Sequence, residues 1–100
     1  MAGVGEVVSD MQEVAYEERL DIQPPEGETW FIPNIYHSRE AALYRIENNE
    51  EVLFASDDDS AGGAWSNFKW FVTNDSYLSV ENANPDEQDA VIGYDGMRIG

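Results

Sequence analysis

The chain has 100 residues, of which 42% are apolar and none is cysteine. Asp and Glu number 21 against 5 Lys and Arg, a formal charge of −16 at pH 7. These values argue against wholesale disorder, exclude disulfides and thiolate metal centres, and disfavour nucleic-acid binding, which needs clustered cations.

A chain of this length builds one domain around one core. No apolar run approaches the roughly 20 residues of a membrane-spanning helix, so no membrane partner is expected. The opening MAGVGEVVSDMQEV has neither a basic region nor an apolar centre and does not read as a secretory leader. The acids are scattered along the chain and Lys69 is the single lysine. That pattern fits a protein of a salt-accumulating halophile. In molar salt the Debye length falls to about 3 Å, and self-repulsion largely disappears.

Residues 1–13 carry little periodicity and read as an N-terminal arm, loose alone and ordered by a neighbour. The domain proper is expected over residues 14–100. Val14, Tyr16, Leu20 and Ile22 share one parity and Glu17, Arg19 and Asp21 the other, as in a half-buried strand. Pro24-Pro25-Glu26-Gly27 is a loop. Thr29–His37 is β-branched and aromatic, hence a strand, and Pro33 marks an edge or a bulge in it. Ala41–Glu47 and Val52–Ala55 pair as a hairpin across the intervening Asn-Asn-Glu-Glu. Ser56–Gly63 is a loop. Ala64–Asn74 reads as a strand with both faces partly apolar, central or set against a partner subunit. Ser76–Asn82 alternates, with Leu78 and Val80 inward. Ala83–Asp89 is a polar loop. Ala90–Tyr94 is a strand, and Asp95-Gly96 turns the chain into a last strand, Met97–Ile99.

The expected fold is all-β: a single antiparallel sandwich or barrel of seven to eight short strands. Sequence periodicity does not choose between a jelly roll and an immunoglobulin-like order.

Candidate chemistry is sparse. Asp57 and Asp59, before Ser60 and Gly62, could offer oxygens to Ca2+, although the EF-hand spacing fails at Ala61 and Phe68. His37 is the only histidine, and its neighbour Ser38 would point to the opposite face of a strand. With no nucleophile elbow or phosphate loop, the chain does not read as an enzyme. Trp30 and Trp70 are expected in the core. Trp65, just after the glycine loop, is the best candidate for an exposed aromatic; with Phe71 and Tyr77 it makes up the candidate ligand or interface set.

Two stretches carry a resemblance. The string Ile22-Gln23-Pro24-Pro25-x-Gly27-Glu28-x-Trp30-x-Ile32-x-Asn34-Ile35 resembles a pattern in small β-sandwich virion proteins of tailed viruses. So does the later run of Trp65, Phe71-Val72-Thr73-Asn74, Tyr77–Val80 and Ile92-Gly93-Tyr94-Asp95-Gly96. The resemblance covers about residues 20–96. It implies a jelly-roll-like sandwich and a non-enzymatic role on a capsid or tail, as decoration, turret or spike, localised to the virion; joined to the halophile-like charge, it looks like a protein of a halophilic archaeal virus. The expected partners are other copies of the chain, a trimer first and a pentamer second by symmetric closure, and the major capsid or other virion proteins. The alternative is a carbohydrate-binding module for host attachment, with Trp65 and loop acids holding a sugar through calcium.

Overall fold

A computed structural model describes residues 3–100. Nine strands follow in order: β1 (Val7–Val14), β2 (Arg19–Ile22), β3 (Trp30–His37), β4 (Ala41–Glu47), β5 (Glu50–Asp57), β6 (Gly63–Trp65), β7 (Trp70–Val72), β8 (Ser76–Asn82) and β9 (Ala90–Arg98). There is no helix among the described residues.

The strands form two antiparallel sheets. One has the order β1-β9-β3-β6, with β7 also pairing β3; the other has the order β2-β8-β4-β5. Alternation decides which side chains meet between the sheets. Ile32, Ile35, Val72 and Ile92 from the five-stranded sheet and Ile22, Leu43, Leu78 and Val80 from the four-stranded sheet are fully buried in one cluster. This shared core makes the fold sandwich-like, as the patterning predicts.

Pro33 explains two irregularities at once. It cannot donate a ladder bond. On one side of β3 the register with β9 shifts between Phe31 and Asn34. On the other side β7 pairs with Trp30–Ile32 and β6 with Ile35–His37, while the Pro33 carbonyl accepts the Phe68 N–H at 3.3 Å. The segment Ala64–Asn74 is therefore two short strands and not one.

Three further expectations are corrected. The region expected as an arm is instead built into the sheet, since β1 pairs with β9 at every position from Val7↔Met97 to Val14↔Ala90. Its strand partner is β9 of the same chain; residues 1–2 of that arm lie outside the described residues. Asp95-Gly96 is not a turn but the middle of β9. A Cβ on Gly96 would stand 2.0 Å from the Phe31 carbonyl oxygen, so glycine permits the close approach at the bulge. The strands thus number nine among the described residues, not seven or eight.

Candidate functional site

In a chain with 21 acids, the two longest stretches without one are residues 29–39 and 60–74. They are far apart in sequence, but β3 takes its two neighbours β6 and β7 from the second stretch. One margin of the five-stranded sheet is therefore built without carboxylates. Lys69, between Phe68 and Trp70, stands beside it, as does Arg45, whose Nη1 donates to the Phe71 carbonyl at 3.2 Å.

The margin is aromatic. Trp70 is buried, with Phe68 stacked on it at 4.6 Å between centroids and 8° between planes. Phe54 of β5 approaches the same indole edge-on at 5.9 Å. Phe71 points away from the core, 51% exposed, against Phe31 at 5.3 Å. The register extends this contact into a row across the outer face: Phe71 pairs with Phe31, Phe31 with Met97, and Met97 with Val7. A shallow groove of about 430 Å³ lies along the row, lined by Val7, Phe31, Pro33, Asp95, Gly96 and Met97. Asp95 is the one carboxylate there, and it is engaged: Tyr36 Oη donates to it at 2.5 Å and Asn34 Nδ2 at 2.9 Å. The bond to Asp95 pushes the Tyr36 phenol above its ordinary value. Beside the aromatic margin, edge strand β5 exposes Val52, Leu53 and Phe54 in succession. Its backbone pairs with β4 alone. Open sheet edges carrying apolar side chains are sites where another strand or chain can add.

The outer face of the four-stranded sheet is different. Arg19 of β2 lies over the Tyr44 ring at 4.0 Å and meets Glu51 of β5 in a two-pronged ion pair at 2.5 and 3.1 Å. Tyr44 Oη donates to Glu81, and Ser79 Oγ to Asp21. The Arg19 contact holds the Glu51 carboxyl below its ordinary value. Around Arg19, Tyr44 and Ser79 the polar groups of this face therefore pair with one another.

The expected site residues are scattered. Trp65 is half-buried; its ring packs on His37 at 4.6 Å, so it is not a free platform. His37 is buried. Its Nδ1–H donates to the Arg39 carbonyl at 2.9 Å and its Nε2 lies 3.4 Å from Asp57. Gly62, at φ +80°, passes over the His37 carbonyl so closely that a Cβ would stand 2.3 Å from it. Asp57 and Asp59 are turn formers, accepting the N–H groups of Asp59 and Ala61 respectively. No group of three or more His, Cys, Asp or Glu among the described residues is placed to hold a metal ion. Ser38 Oγ accepts the Val91 N–H. Phe71 joins the aromatic margin. Tyr77 stands apart at one end of the four-stranded sheet, beside Gln23, Ile46, Asn48, Asn49, Asn74 and Asp75 in a pocket of about 380 Å³.

Sequence reasoning missed Phe31, Phe54, Phe68 and Met97. The available signal was the pair of acid-free stretches, whose meaning depends on their pairing. No protein-family model matches the chain, and no curated protein matches it.

Proposed function

We propose that this chain is a non-enzymatic structural protein of a virus particle, decorating or projecting from a capsid or tail, and that its copies assemble through the acid-free aromatic margin. The observation that carries the reading is the convergence of residues 29–39 and 60–74 on one sheet margin. At −16 per chain, two copies repel each other wherever carboxylates face each other. The margin of Phe71, Phe68 and Phe54 offers contact without that repulsion, and molar salt screens the remainder. The occupant of this surface is a second copy.

The strand order supports a jelly roll. With β6 and β7 taken as one strand interrupted opposite Pro33 of β3, eight strands remain. They alternate between a first-last-third-sixth sheet and a second-seventh-fourth-fifth sheet. Jelly rolls recur in viral capsid and lectin domains, an analogy of fold and not of site. The resemblance of residues 20–96 to virion proteins adds the location. Closed symmetry is the rule for such copies, with a trimer first and a pentamer second.

Light scattering in molar KCl tests the reading, with probing of purified virus particles by an antibody to the chain. The expected result is a mass about three times the 11.3 kDa chain and a signal on the particle. A single-chain mass together with absence from particles contradicts it.

A further inference from the structure

We infer that the end of the four-stranded sheet carries a binding site for a neutral carbohydrate, with Tyr77 as its floor and a rim of side-chain amides. The inference goes beyond the assembly reading, and its site lies apart from the aromatic margin.

The floor is a cross-strand pair. Tyr77 of β8 stands opposite Ile46 of β4, both half-buried. Leu78, next along β8, is fully buried in the core, so Tyr77 and Ile46 stand on the opposite face, with Tyr77 half-buried and packed against the edge of the core. Around them stand four amides and one carboxylate: Gln23, Asn48, Asn49, Asn74 and Asp75. The space they enclose, about 380 Å³, lies in the range of small-ligand pockets.

One wall is held in place. Gln23 Nε2 donates to the Asn74 carbonyl at 2.7 Å, and Asn74 Nδ2 donates to the Pro24 carbonyl at 3.1 Å. These bonds use one N–H of each amide and leave its oxygen and second N–H to a ligand. The other wall is the two-residue turn between β4 and β5. Asn48 and Asn49 occupy it with φ of 54° and 62°.

The combination selects a ligand class. A sugar presents an apolar C–H face to an aromatic ring and pairs of hydroxyls that both donate and accept. Amides match such pairs because each carries an acceptor and two donors. Asp75, the one charged lining residue, accepts from hydroxyls and repels anions, as does the chain's −16. An anion is therefore disfavoured, and the aromatic floor with its amide rim matches a neutral polyhydroxylated ligand. No cation is called for, in contrast to the calcium-assisted arrangement around Trp65.

The test is a 1H–15N correlation titration in molar KCl with glucose, galactose, mannose, N-acetylglucosamine, lactose and maltose, and with N-acetylneuraminic acid as the anionic probe. The expected result is that at least one neutral sugar shifts the Asn48, Asn49 and Asn74 side-chain amides and the Asp75 and Tyr77 backbone signals, while the anionic sugar does not. The double variant Asn48→Gly/Asn49→Gly keeps a turn that requires positive φ and removes two amides. It is expected to bind about tenfold more weakly with an unchanged melting temperature. Three results would overturn the inference: no neutral sugar shifting these signals, equal shifts with the anionic sugar, or undiminished binding by the glycine variant. Chain mass by light scattering is read separately, so failure here leaves the assembly reading standing.

Discussion

Phe54 on β5 and Trp70 on β7 meet edge to face at 5.9 Å and 72°, and so tie the margin of one sheet to the edge of the other. Phe68 stacks on the same indole. Trp70 is thus both core and the base of the exposed aromatic surface. Trp70→Ala is expected to cost about 3–5 kcal/mol, as for other buried large-to-small changes. Phe54→Ala, at a half-exposed ring, is expected to cost about 1 kcal/mol through the lost aromatic pair. Chemical denaturation in molar KCl measures both. Equal costs would mean that the two rings are not arranged as described.

Asn82 is fully buried and joins three segments. Its Nδ2 donates to the Val14 carbonyl at 2.9 Å and the Gln88 carbonyl at 2.7 Å, and its Oδ1 accepts the Asn84 N–H at 3.0 Å. Asn82→Ala strands those buried groups, each at about 1–3 kcal/mol. The expected loss is roughly 3 kcal/mol, read from the denaturation midpoint. Amide exchange of Asn84 is expected to accelerate in the same variant.

Glu13 sits beside Asp89, and a hydrogen bond with that carboxylate, followed by its charge, raises the Glu13 pKa above the ordinary 4.5. A carboxyl raised in the folded state contributes stability that is present below the unfolded value and lost as pH rises through the folded one. At neutral pH the two charges therefore oppose folding. Glu13→Gln is expected to raise the melting temperature at pH 7, with an advantage that shrinks as pH falls through about 4.5 and as KCl is added. A gain independent of both pH and salt would show that charge is not its source.

Much of the fold is legible in the sequence where one face of a strand is wet. Ser76–Asn82 alternates because Leu78 and Val80 enter the core while Tyr77 and Glu81 face outward. β1 is illegible because the residues sharing the parity of its buried Val8 and Val14 are Asp10, half-buried, and Gln12, exposed, while its apolar Val7 and Met11 lie on the other parity and stand exposed. Its pairing with β9 comes from the backbone ladder and not from patterning. Asp95-Gly96 carries turn chemistry, yet Asn34 and Tyr36 hold the aspartate and the Phe31 carbonyl requires the glycine.

The candidate surface was less legible. Each acid-free stretch is plain in the sequence, but only the pairing at β3 makes them one margin. Trp65 looks exposed by its glycine-rich approach, and the His37 ring beneath it was not foreseeable from residues 28 positions apart.

The most direct measurement is light-scattering mass in molar KCl for the parent chain, Phe71→Glu and Val91→Glu. Phe71 is exposed on the aromatic margin, whereas Val91 is exposed on the same sheet toward the other end of β9. The account predicts an oligomeric parent, a monomeric Phe71→Glu variant with a similar melting temperature, and an oligomeric Val91→Glu variant. A monomeric parent, or a Phe71→Glu chain that keeps the parent's mass, would contradict it.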